Sequence, residues 1–160
     1  MTVTTAGTPG INRFTPSQLL RTARLFASDP ELRDLVDLTS RERTWRRLDA
    51  TAHLEIWVIG WPVGTSTGWH DHLRSEGAFL TVEGTLVEES WSQGAVHERV
   101  LPAGEGRGFR AHHVHTVAPV GDVPALSVHV YSPALVGMTR YAVRDGAPRP
   151  LGVERAGEQW

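Results

Sequence analysis

The chain has 160 residues, a formal net charge of −2 and no cysteine, which fits one domain able to bury roughly 70% of its unfolded surface. The missing cysteine excludes a disulfide framework, thiolate zinc ligation and a cysteine nucleophile, and because every basic side chain is arginine, Schiff-base chemistry on lysine is excluded as well. The charge balance, with no clustered basic run, speaks against nucleic acid and anionic membranes as partners.

No run of about 18 apolar residues occurs, and the N-terminus lacks a basic flank followed by an apolar core. A cytoplasmic, soluble protein is expected. Residues 1 to about 13 are rich in Thr and Gly and read as a loose tail. Thr15 followed by Pro16 is a helix start, and Leu19, Leu20, Ala23 and Phe26 recur at helical spacing up to Ser28-Asp29-Pro30. A second short helix is expected from Asp29, with Leu32, Leu35 and Val36 as its apolar edge to about Leu38. Residues 14–40 are thus helical and cover one face or end of a sheet.

Short strands follow at Thr44–Leu48, Leu54–Trp61, Gly77–Val82, Thr85–Trp91, Val96–Leu101, His113–Val117, Ala125–Tyr131 and Thr139–Val143. Strands without intervening helices, after a helical start, predict a mainly β chain: an antiparallel barrel or sandwich over residues 43–143 with helices to one side. Residues 145–160, rich in Pro and Gly, read as a tail that could pack over the barrel.

His70 and His72 are separated by one residue within strand-like sequence. On an extended strand their side chains share a face, with Cα atoms about 6.6 Å apart, so both imidazoles can close on one ion while Asp71 faces the other way. A third ligand must come from elsewhere, and spacing leaves His113 and His115 both open. Ser127, His129 and Tyr131 also share a strand face, opposite Leu126, Val128 and Val130. In an isolated strand the aliphatic face would turn inward and the polar one to water. Beside a metal pocket the reverse is expected, with hydroxyl, imidazole and phenol forming a hydrogen-bonded row that orients Tyr131. His53 and His97 read as surface histidines, and Trp57, Trp61, Trp69 and Trp91 as packing residues.

The stretch Gly64-x5-His70-x-His72-x4-Gly77-x6-Gly84 resembles the first motif of the cupins, small metal-binding β-barrels. The acid of that motif would stand at Gly77, and Glu76, one residue early, has the opposite strand parity. Ser127-x-His129-x-Tyr131-Ser132-Pro133, together with the upstream histidines, resembles the thiol dioxygenases, specifically bacterial cysteine dioxygenase. The resemblance covers about residues 43–138 and implies a single cupin domain over residues 1–160. It assigns His115, opening His115-Thr116-Val117, as third ligand beside His70 and His72, with His113 as the fallback. It also places Tyr131 by the metal, backed by His129 and Ser127. Gly77 stands where animal members carry a cysteine cross-linked to the tyrosine, which this chain cannot form. The family's carboxylate-binding arginine follows an aromatic residue by two positions, which Trp45-Arg46-Arg47 matches, so Arg47 is the expected grip and Arg46 points outward. Ser132-Pro133 is a candidate cis peptide.

The implied function is oxidation of the sulfur of cysteine by O2 to cysteine sulfinic acid, with one iron(II) per chain. Three neutral imidazoles leave about three open positions on an octahedral ion, which suits that chemistry. Alternatives are another small thiol such as 3-mercaptopropionate, a non-catalytic cupin that binds a small ligand, and an isomerase or lyase using zinc, nickel or manganese.

Overall fold

The computed structural model describes residues 13–156. The chain enters helix α1 (Pro16–Ala27) through a capping box: Thr15 Oγ1 accepts from Gln18 N, and Gln18 Oε1 accepts from Thr15 N. The second expected helix contracts to one 3-10 turn, Leu32–Leu35. What stops it is Asp37, whose carboxylate accepts from Thr39 N while its own N–H is taken by Thr44 Oγ1.

Eleven strands follow among the described residues: β1 (Thr44–Ala50), β2 (Glu55–Trp61), β3 (His70–Asp71), β4 (Glu76–Glu83), β5 (Thr85–Ser92), β6 (Ala95–Pro102), β7 (Gly106–Phe109), β8 (His115–Pro119), β9 (Ala125–Ser132), β10 (Gly137–Arg144) and β11 (Ala147–Arg155). They form two antiparallel sheets, ordered β1-β2-β9-β4-β7 and β11-β10-β3-β8-β5-β6. The mainly β expectation holds, with the helix on one side.

Two strands depart from the sequence reading. The sequence of β7, Gly-Arg-Gly-Phe, has no β-propensity, but its glycines are required by close approach. A Cβ at Gly106 would stand 2.5 Å from the Phe79 carbonyl oxygen, and one at Gly108 would stand 2.7 Å from that of Pro16. The expected C-terminal tail is a strand instead: β11 pairs along all of β10, and its Pro148 and Pro150 are tolerated because it is a sheet edge. Most of the expected N-terminal tail lies outside the described residues. The Ser132–Pro133 peptide is cis.

The centre of the five-stranded sheet is buried on both faces, while β1 at its edge is largely exposed. Its outer face packs Ile56, Val58, Ala78, Leu80, Leu126, Val128 and Val130 against Leu19 and Ala23 of α1 and Leu32 of the 3-10 turn. Its inner face, with Trp61, Phe79, Phe109 and Tyr131, meets Leu86 and Val117 of the other sheet. Every residue of β9 is consequently buried. At about 1.5–3 kcal/mol per buried aliphatic or aromatic side chain, both layers contribute substantially to stability.

Candidate metal centre and substrate cavity

His70 and His115 face each other across the β3–β8 pair, and His72 follows directly after β3. The chain turns sharply there: Leu73 has φ 52°, and Asp71 holds the turn by accepting from Leu73 N at 2.9 Å and from the Tyr141 hydroxyl at 2.7 Å. His70, His72 and His115 are 2–4% exposed, and one ring nitrogen from each lies within 4.8 Å of the others. The Nε2 atoms of His70 and His72 are 3.2 Å apart.

The outer nitrogens decide the tautomers. His70 Nδ1–H donates to the Gly68 carbonyl at 2.9 Å and His115 Nδ1–H donates to Glu88 at 2.7 Å, so both Nε2 atoms keep a free lone pair. His115 Nε2 is buried without any hydrogen-bond partner. Burial, reinforced by repulsion from neighbouring histidines, His115 for His70 and His70 for His72, holds their pKa values well below the usual histidine range. Burial likewise lowers His115 despite Glu88. Neutral imidazoles with converging lone pairs fit a divalent cation.

Of the other expected residues, His113 donates its Nε2–H to Glu88 at 2.9 Å and does not line the cavity. His112 is exposed, and Glu76 is absent from the histidine cluster. Gly77 pairs with Tyr131 across β4 and β9, and the space above it is filled: a Cβ there would stand 2.3 Å from Phe109 and 3.1 Å from the Tyr131 ring.

Ser127, His129 and Tyr131 form a hydrogen-bonded row, and the structure gives it a start that the sequence reading left out. Trp61 Nε1–H, a donor only, gives its proton to Ser127 Oγ at 2.7 Å. Ser127 Oγ lies 2.8 Å from His129 Nε2, and His129 Nδ1 lies 3.2 Å from the Tyr131 oxygen. The row ends on the cavity at Tyr131, whose hydroxyl carries one proton. Burial raises the Tyr131 pKa above its usual value, keeping that proton in place, and burial lowers His129 to about 3.

His129 and Tyr131 line one cavity with the three clustered histidines and with Arg43, Arg140, Trp57, Ile59, Leu135 and Met138. Arg47, the expected carboxylate grip, is not among its lining residues: its guanidinium binds Glu55 at 3.3 Å and is 57% exposed. Arg43, which leads into β1, has the same parity as Arg47, so alternation could not separate them. Buried Glu55, anchored by Leu135 N, takes Arg47. Arg43 lies 5.3 Å over the Trp61 ring and has no hydrogen-bond or ion-pair partner among the described residues. Burial and neighbouring Arg140 lower its pKa without neutralising it. Arg140 is held by Glu154 and the Thr67 carbonyl, both at 2.9 Å. Arg46, paired with Val58, sits on the opposite face of β1. Glu88 was also missed; its signal was strand parity with the buried Leu86 and Ser90.

A family model described as cysteine dioxygenase type I matches residues 20–144. No curated protein matches the sequence at a significant level. Among solved structures, the chain is similar to an uncharacterized protein with a double-stranded β-helix domain from Klebsiella pneumoniae, at 19% identity and TM-score 0.58 over 69% of this chain and 94% of that one. Oxalate oxidase in complex with glycolate matches at 18% identity and TM-score 0.58 over 71% of this chain and 62% of that one. A protein from Thermus thermophilus matches at 19% identity and TM-score 0.58 over 66% of this chain and 96% of that one. These likenesses show the fold, a cupin double-stranded β-helix.

Proposed function

Because the chain belongs to the cysteine dioxygenase type I family, we propose that it is an iron-dependent thiol dioxygenase acting on a small thiol carboxylate. Both atoms of O2 join the sulfur, R–SH becoming R–SO2H, so sulfur is oxidised, O2 is reduced and no further reductant is consumed. With cysteine the product is cysteine sulfinic acid. The observation that carries this reading is the convergence of three buried, neutral histidines whose free ring nitrogens border a cavity containing Arg43, an arginine with no ion-pair partner among the described residues.

His70, His72 and His115 would hold iron(II), which supplies the acidification of the thiol and the redox chemistry toward O2. The protein's own groups bind and orient. Arg43 takes the substrate carboxylate in place of Arg47, since only a guanidinium without a partner is free to grip it. The Tyr131 hydroxyl, held by His129, donates to the carboxylate or to oxygen developing charge during reaction. Ile59, Val117, Leu135 and Met138 exclude water around the reacting atoms.

One observation favours 3-mercaptopropionate over cysteine as the thiol. The cavity lining contains two guanidinium groups and no carboxylate, so an ammonium group meets repulsion without a compensating partner.

Oxygen consumption by the iron(II)-loaded protein with each thiol tests the proposal. Thiol-dependent uptake is expected from the wild type and its loss from His72→Ala. No uptake with either thiol from iron-loaded wild type would sink it and leave the non-catalytic ligand-binding cupin or the isomerase and lyase readings. Arg43→Gln is expected to raise KM at least about tenfold, with Arg47→Gln within about twofold of wild type.

A further inference from the structure

Glu88 sits in the middle of β5, on the inward face it shares with Leu86 and Ser90, and its side chain is 0% exposed. A carboxylate there is costly to bury unless it is fully partnered, and this one is. Its Oε1 accepts from His115 Nδ1 at 2.7 Å and from His113 Nε2 at 2.9 Å, and its Oε2 accepts from Arg107 Nη1. Ser90 pairs with His115 across β5 and β8, which brings Glu88 diagonally beneath the imidazole. Arg107 comes from β7 in the opposite sheet, so the network ties the two sheets together.

The three candidate ligands differ in what stands behind them. The outer nitrogen of His70 meets a neutral carbonyl, that of His72 is buried without a partner, and that of His115 meets a carboxylate. We propose that Glu88 is the positioning residue of the metal centre, fixing His115 with Nε2 toward the metal and making it, through its negative charge, the strongest donor of the three. A carboxylate behind a ligating imidazole fixes its tautomer and raises its basicity. His113, stacked on Phe109 with ring centroids 5.1 Å apart, serves as a second donor to Glu88. Arg107 and the two N–H donors occupy the carboxylate, which leaves Glu88, His113 and His115 as a hydrogen-bonded cluster and not a second cation site.

The inference rests on the three-histidine metal centre but not on thiol oxidation. Its test is anaerobic chelator competition with iron(II) and, separately, zinc(II), in the absence of thiol, on the full chain. Glu88→Gln is expected to weaken both metals about 10–100-fold and to raise the iron(III)/iron(II) midpoint potential. Glu88→Asp should recover part of the loss. Arg107→Gln, which leaves the carboxylate charge undivided, is expected to bind metal as tightly as wild type or more so. A scaffold role alone predicts that Glu88→Gln and Arg107→Gln weaken binding alike, and that result overturns the inference. Wild-type affinity in Glu88→Gln, or no metal binding by the wild type, does the same. Should Glu88→Gln fail to fold, Arg107→Gln decides: undiminished affinity supports the electrostatic role and a loss overturns it. A wild type that holds metal yet shows no thiol-dependent oxygen uptake overturns only the dioxygenase proposal.

Discussion

On β9, Leu126, Val128 and Val130 pack against α1, whereas Ser127, His129 and Tyr131, alternating with them, form a hydrogen-bonded row inside the barrel. All six are buried. Burial therefore does not distinguish a packing face from a chemical one; what covers the face does. A helix bearing Leu19 and Ala23 offers only apolar contact, so the strand face beneath it must be apolar. The inner face looks toward histidines and arginines, and there polar groups find partners.

Separating the two faces by mutation tests this contrast, and the largest stability effect belongs outside. Leu126→Ala should lower unfolding stability by about 2–5 kcal/mol, read by denaturant titration, with metal affinity unchanged in the folded protein. A change in metal affinity beyond severalfold would mean that the faces are coupled. Next comes Gly77→Cys on the inner face. Phe109, stacked against His72 at 5.3 Å between ring centroids, fills the space a side chain needs, so about 1–3 kcal/mol should be lost. An unchanged melting temperature would show that Phe109 yields freely.

Tyr131→Phe should show the opposite profile to Leu126→Ala. It removes the hydroxyl at the end of the row, so kcat should fall about 10–100-fold, while stability changes by about 1 kcal/mol or less. If stability falls as far as in Leu126→Ala, the inner face is a packing face too.

The last contrast is a pH slope. His129 is lowered to about 3, so from pH 6.5 down to about 3 the unfolded chain binds a proton that the native chain refuses, and His70, His72 and His115, lowered as well, add to this below pH 6.5. Stability of the metal-free protein therefore rises with pH across that window and is lost as pH falls, by about 1.4 kcal/mol per pH unit for each such proton. Glu88, which burial alone would raise, is held below the usual carboxylate range by His113, His115 and Arg107, and it adds loss below pH 4.5. Urea titrations at pH 7, 6 and 5 should show the slope, and His129→Asn should flatten it by about one proton. Leu126→Ala should leave it unaltered.

Local pattern sufficed for much of this. The Thr15-Pro16 start of α1, the strand runs from Thr44 to Val143, the shared face of His70 and His72, and the alternation along Ser127, His129 and Tyr131 each depend on residues a few positions apart. Such information is carried by helix and strand periodicity alone. The family resemblance added His115, which spacing could not separate from His113.

Tertiary structure decided whatever depends on a partner distant in the chain. Gly106 and Gly108 became a strand by pairing with β4, where backbone from Phe79 and Pro16 passes too close for a side chain. Arg47 was drawn to Glu55 while Arg43, with no ion-pair partner among the described residues, stayed at the cavity, although both have the same parity. Trp61, 66 residues from Ser127, gave the tyrosine row its first donor. Glu88, 27 residues from His115, became the carboxylate behind a candidate ligand. Periodicity gives a side chain its face, but only the packed fold gives it a neighbour, and the chemistry of this site lies in the neighbours.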